Sequence, residues 1–192
     1  MQIKKIFKDI YKGLRIENNS DESILAYSID TKDVDKCVIN YNSSEPEEIN
    51  MNIKDKYILK EGDIIIANIP STTTAHVGYA SHLNTEYPII IKKNFIVLRN
   101  ISKDYDPLFV AEYLETIGIK KFYIDNDKPL SYAMVKEDIE KIEIPNVSID
   151  KQKKCVELLK PLNERDKLYK ELLLNDSKIK ECLLLEVINN DK

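Results

Sequence analysis

The sequence predicts a mixed α+β (α/β) fold: a globular domain with a twisted β-sheet and short helices, followed by a long C-terminal coiled-coil helix. Three observations predict it. Through residues 1–100 the apolar side chains fall in short β-branched runs broken by turn residues, as buried strands do. Between Asp106 and Gly118 they recur at helical spacing. Beyond Ser148 glycine is absent and apolar positions alternate at spacings of three and four, the signature of a helix with a partner. A chain of 192 residues, 43% hydrophobic and 32% charged, suffices for one domain plus an appendage. The expected division is 1–147 for the domain and 148–192 for the helix.

Strands are expected over 24–28, 57–59, 63–69, 87–92 and 95–98. Ile64-Ile65-Ile66 and Ile89-Ile90-Ile91 are too short and too β-branched for helix. Lys60-Glu61-Gly62-Asp63 reads as a turn into the buried strand that carries Ile64-Ile65-Ile66, with the Asp63 carboxylate accepting backbone N–H groups. Asp106 suits a helix N-cap, Pro107 the first helical position and Gly118 the stop, with Phe109, Tyr113, Leu114 and Ile117 on one face. A shorter helix is expected over 135–141, then an extended stretch through Ile144-Pro145.

In the C-terminal segment Cys155, Leu158, Leu162, Tyr169, Leu172, Ile179 and Leu183 form a heptad seam, interrupted at Arg165, Asp176 and Glu186. A helix of about 40 residues is about 60 Å long, against a radius of gyration of about 15 Å for the domain, so much of the seam needs a partner. Pro161 predicts a kink or a helix start beside it. The alternative is a helical hairpin turning at Asn175-Asp176-Ser177; the continuous, partner-seeking helix is favoured.

The net charge of −4 conceals a segregation. Residues 1–15 carry five Lys/Arg against one Asp, and residues 16–50 carry two Lys against nine Asp/Glu. Overall charge therefore does not decide for or against nucleic acid; local patches do. Three dispersed cysteines suit a reducing compartment, and the start lacks the apolar core of a signal peptide. A cytoplasmic location is expected.

Catalytic patterns are weak. Four scattered glycines rule out GxGxxG and GxxxxGK[ST] phosphate cradles. His76 and His82 have no third nitrogen or sulfur ligand nearby for zinc, and no GxSxG elbow supports Asp63, Ser71 and His76 as a triad. No catalytic and no metal-binding residue is assigned. For nucleic acid the candidates are the polar loop with Ser71, Thr72, Thr73, Thr74 and His76, and the segment Lys92-Lys93-Asn94. Arg99, Lys103 and Lys120-Lys121 lie among them. Cations neutralise phosphate, and Asn, Ser and Thr can read base edges. The basic N-terminal segment is an alternative source of contact. A second reading is a protein–protein adaptor or regulator without DNA contact.

The order of several stretches resembles a known family. These are Lys5-Ile6-Phe7-Lys8-Asp9-Ile10 with Gly13, the run from Tyr57 through Gly62-Asp63 to Ile66, Asn94-Phe95-Ile96-Val97-Leu98-Arg99, Pro107-Leu108-Phe109-Val110-Ala111-Glu112-Tyr113-Leu114, and Ile139-Glu140-Lys141-Ile142-Glu143-Ile144-Pro145 with Gln152. Together they resemble one half of a specificity subunit of a type I restriction-modification system: one target-recognition domain and one conserved-region helix. The resemblance implies sequence-specific recognition of one half of a bipartite double-stranded DNA target, by a non-catalytic subunit. It implies docking to methyltransferase (modification) subunits, which bring S-adenosylmethionine, while this chain binds no cofactor; a restriction subunit can join. The chain departs from the pattern in having one domain and one helix where the family usually has two of each. It also has Pro145-Asn146-Val147 in place of paired prolines. A homodimer joined through the C-terminal helix, on a palindromic target split by a spacer, is the expected consequence.

Overall fold

The computed structural model describes residues 1–16, 23–41, 45–49, 53–71 and 74–190, with the side chains of 167, 170, 189 and 190 left aside. The chain divides into two compact units, Met1–Gln152 and Lys153–Lys192.

The first unit is organised by one antiparallel sheet. Its strands are β1 (Phe7–Lys12), β6 (Ile64–Ala67), β7 (Val77–Tyr79) and β9 (Phe95–Ile101), in the order β1-β9-β6-β7. A second sheet is built from β2 (Ile24–Ile29), β5 (Glu47–Ile49) and β8 (Ile89–Ile91), with β2 antiparallel to β5 and parallel to β8. A two-strand ribbon joins β3 (Val34–Asp35) to β4 (Val38–Ile39).

Side-chain alternation explains the isoleucine runs. Ile64, Ile66, Ile96 and Leu98 share a core with Val110, Leu114, Ile119 and Ile139 from the helices. Ile65, Ala67, Phe95 and Val97 face the other way and pack with Ile29, Ile89 and Ile91 of the second sheet. Ile90 points onward into a third cluster with Ala26 and Ile49. A strand covered on both faces has no solvent side, so it tolerates an unbroken apolar run.

The remaining strand expectations fare unevenly. Residues 57–59 form no strand: a 3-10 turn spans Asp55–Tyr57, and Ile58 makes only an isolated bridge to Ile90. Strand β1, not among the expected strands, lies at the edge of its sheet, with Lys8 and Lys12 exposed and Phe7 and Ile10 buried.

Helix α1 (Pro107–Tyr113) is capped as expected, the Asp106 side chain accepting from Phe109 N at 3.0 Å. Gly118 is not its stop. The helix runs on through a π turn at Leu114–Gly118 into α2 (Ile119–Asp125). Gly118 keeps helical angles, and a Cβ there would sit 3.1 Å from the Tyr113 ring and 3.2 Å from Leu114. The glycine serves close packing and not termination. Helix α3 (Lys136–Lys141) follows, with Asp138 accepting from Val135 N. Ile142 and Ile144 then hydrogen-bond to the N-terminal residues Ile3 and Met1.

Helix α4 (Ile149–Asn190) is one helix of 42 residues with Pro161 inside it. It does not turn back at Asn175-Asp176-Ser177. In its first turn Gln152 is fully buried: Oε1 accepts from Asp106 N at 2.8 Å, and Nε2 donates to Asp104 O and Val147 O. All three cysteines are free, and burial pushes the Cys37 thiol far up, out of the reactive range.

Candidate nucleic-acid interface

Residues 92–95 form a tight turn between β8 and β9, closed by Phe95 N donating to Lys92 O at 3.1 Å. Lys93 stands exposed at its tip. Its neighbours are tied to a segment that the sequence reading did not single out. Lys92 Nζ donates to Asp30 Oδ2 at 3.0 Å, and Asn94 Nδ2 to Thr31 Oγ1 at 3.0 Å. The His76 Nδ1 lies 2.8 Å from Val34 O. Residues 30–34 thus gather three of the expected site residues.

That segment is itself stiffened. Thr31–Asp33 is a 3-10 turn in which Asp30 N donates to Asp33 Oδ2 at 2.9 Å and Asp33 N donates to Asp30 O. Asn40 N donates to Asp33 O. The signal in the sequence was local: Asp30-Thr31-Lys32-Asp33, an N-cap aspartate with an acid three residues on.

The loop before β7 is held at both ends. Ser71 N donates to Thr74 O at 2.9 Å, and Thr74 N donates to Ser71 Oγ at 3.0 Å. Thr72 and Thr73 lie outside the described residues. Downstream, the buried Glu115 carboxylate, on the π turn, accepts from Ala75 N at 3.2 Å and Val77 N at 2.8 Å. His76, between them, adopts a left-handed φ of 53°. Because the Val34 carbonyl can only accept, His76 Nδ1 is the donor of that bond. Ser71 and Thr74 also border an apolar hollow of about 210 Å³ with Lys120, Tyr123 and Ile124.

Arg15, Asp30, Glu47, Lys92, Lys93 and Asn94 line an open groove of about 700 Å³, with Leu14 and Ile16. Gly13 makes this possible. Gly13 N donates to Phe95 O at 2.9 Å and Leu14 N to Ile91 O at 2.8 Å. A Cβ on Gly13 would overlap Lys92 O and lie 2.6 Å from Ile91 O. Only glycine lets the chain pass close enough to set Arg15 beside the Lys92 turn. The N-terminal segment and Lys92-Lys93-Asn94, alternatives in the sequence, contribute to one surface. The acids there have partners: Asp30 holds Lys92, and Glu47 accepts from Ser28 Oγ.

Arg99 does not belong to this surface. Its Nε and Nη2 grip the two oxygens of Asp63 at 2.7 and 2.6 Å, and Nη2 also donates to Ile58 O. Asp63 is 1% exposed and further accepts from Lys60 N at 2.8 Å. The expected turn role of Asp63 is present, joined by an ion pair from a strand 36 residues away. The hydrogen bond that Arg99 donates to Asp63 raises the Arg99 pKa further. The Tyr11 ring lies 5.6 Å from the guanidinium, and burial pushes its hydroxyl up to about 12. Asp63, Ser71 and His76 are engaged with Arg99, Thr74 and Val34 respectively, which is scaffolding and not a catalytic relay. Among the described residues no group of three or more His, Cys, Asp or Glu is placed to hold a metal, and no helix is long and apolar enough to cross a membrane.

On α4, Cys155 is half-buried while Leu158, Leu162, Tyr169, Leu172, Ile179 and Leu183 are all exposed, Leu158 by 73%. Leu173, Leu174, Leu184, Leu185, Val187 and Ile188 are exposed as well, widening the apolar surface towards the C-terminus.

Comparison with known proteins gives a consistent answer. A profile of the family described as "Type I restriction modification DNA specificity domain" matches residues 17–175. No curated protein matches. Among solved structures, the HsdS subunit from Thermoanaerobacter tengcongensis aligns with a TM-score of 0.60 at 16% identity, covering 95% of this chain and 46% of that one. A chain from a structure on complex assembly and conformational transition of the type I R-M system aligns with a TM-score of 0.55 at 14% identity, covering 85% and 37%. The chain therefore spans less than half the length of these solved relatives.

Proposed function

Because the chain belongs to the type I restriction-modification DNA specificity domain family, we propose that it reads one half of a bipartite DNA target through its first unit and assembles through its C-terminal helix. The observation that carries the reading is the groove in which Arg15, Lys92, Lys93 and Asn94 converge. On this reading the cations lining it neutralise phosphate, and the polar side chains among them read base edges. The family supplies recognition; the chemistry lies in partner subunits, and S-adenosylmethionine belongs with the methyltransferase.

The exposed seam of α4 supports a homodimer. A second copy, related by a twofold axis with its helix antiparallel, covers Leu162 and Leu172 and supplies a second recognition domain. The target is then a palindrome split by a spacer whose length the helices set. Methyltransferase subunits dock on this assembly.

Binding to random-sequence duplex, measured by anisotropy across a salt series, tests the DNA half of the reading. Lys93→Ala should weaken binding equally for all sequences and reduce the slope of log K against log salt by about one. An unchanged slope removes Lys93 from the interface. Absence of binding, alone and with a modification subunit, would leave the adaptor reading, in which the helix recruits a partner and the domain touches no DNA.

A further inference from the structure

Asn94 differs from the exposed Lys93 beside it in how firmly it is held. Its carbonyl accepts from Asn68 N at 2.9 Å, the turn closes beside it from Phe95 N to Lys92 O, and its Nδ2 donates to Thr31 Oγ1 at 3.0 Å. It is half-buried and still lines the groove. A phosphate contact gains little from such fixing, since a charge on a flexible stem suffices, and the exposed Lys93 has that form. A base contact gains a great deal, because discrimination needs donor and acceptor at set positions.

The hydrogen-bond inventory of Asn94 names the base. A side-chain amide has two N–H donors and one carbonyl acceptor. Thr31 takes one N–H, and the remaining N–H and Oδ1 are the donor and acceptor that the amide can offer a base. In the major groove adenine offers the complement, N7 accepting and N6 donating. Guanine offers two acceptors, thymine one acceptor and a methyl group, and cytosine one donor.

Resting on the DNA reading above, we propose that Asn94 recognises adenine in the major groove and that Thr31 is the positioning residue that holds its amide for that contact. Thr31 is suited to this because its own turn is closed by the Asp30–Asp33 bonds.

The test is selection from a randomised duplex pool with the full chain, co-purified with a modification subunit where binding requires one. The wild-type chain should enrich a motif containing adenine at one position. Asn94→Ala should lower the preference at that position about 5- to 150-fold, the range for one bidentate base contact, and leave the other positions intact. Asn94→Asp should move the same position towards cytosine, because a carboxylate only accepts and cytosine N4 donates. Thr31→Val should blur that position alone, while Thr31→Ser, which keeps the hydroxyl, should preserve it. A motif that Asn94→Ala and Thr31→Val both leave unchanged overturns the adenine assignment and spares the DNA reading. A pool that the wild-type chain never enriches overturns the DNA reading, and the assignment falls with it.

Discussion

The two units of the chain treat apolar surface in opposite ways. In Met1–Gln152 the inner strand β6 is covered on both faces, with Ile64, Ile65 and Ile66 all at 0% exposure. In Lys153–Lys192 the leucines of one long helix stand in solvent, Leu158 at 73% and Leu173 at 66%. The first pattern is satisfied within the chain. The second is left open, and on the function proposed above it is the surface that a partner covers. The difference teaches where the proposed function would divide: recognition on a unit whose apolar surface is covered from within, and assembly on one whose apolar surface is not.

The most severe test of that contrast is all or none. Replacing Leu162 and Leu172 together by glutamate should abolish self-association and leave the domain folded. Light scattering should then fall from twice the 22.3 kDa chain mass to the chain mass itself, with the first unit's unfolding transition retained. A wild-type chain already at 22.3 kDa at micromolar concentration would overturn the dimer. Loss of co-purification with a modification subunit in the double variant would extend the seam to that partner.

Next in size is the scaffold. Asp63→Ala strands the largely buried Arg99 without its carboxylate, and breaking such a pair costs about 3–5 kcal/mol. Thermal unfolding should report that loss, with dimerisation through the helix unaffected wherever the domain remains folded. A change under 1 kcal/mol, on the order of a surface ion pair, would show the pair to be dispensable. Gly13→Ala is smaller: a Cβ pressed against Lys92 O should cost about 1–3 kcal/mol. It should also weaken DNA binding beyond its effect on stability, because it displaces Arg15 from the groove. Equal losses in binding and stability would separate Gly13 from the interface.

The smallest effect distinguishes two adjacent lysines. Lys92 is half-buried on Asp30, whereas Lys93 is exposed. Lys93→Ala should therefore shift the salt slope by about one, and Lys92→Ala by less. Equal slopes for the two variants would mean that DNA draws Lys92 away from Asp30.

Much of the scaffold was legible because isoleucine runs and heptads are local patterns, set by which faces are covered. The Asp106 cap and the Gly62-Asp63 turn were legible for the same reason. Gly118 was misread because a glycine that ends a helix and one that admits a neighbouring side chain look alike in sequence; the Tyr113 and Leu114 contacts decide it. Strand β1 was hidden by its own lysines. Arg99 was placed among the DNA-facing cations because its partner, Asp63, is distant in sequence. The hub at residues 30–34 was missed for a similar reason. Its bonds to Lys92, Asn94 and His76 span 62, 63 and 42 positions, and no periodicity encodes such distances.

That hub bears on how specificity could be transplanted. The tip of the turn at Lys92-Lys93-Asn94 looks like a three-residue cassette, but two of its side chains are fastened to Asp30 and Thr31. Exchanging the tip alone between relatives would install new side chains on anchors shaped for the old ones. If this turn reads DNA as proposed, the unit to exchange is two short segments far apart in the gene, and they must travel together.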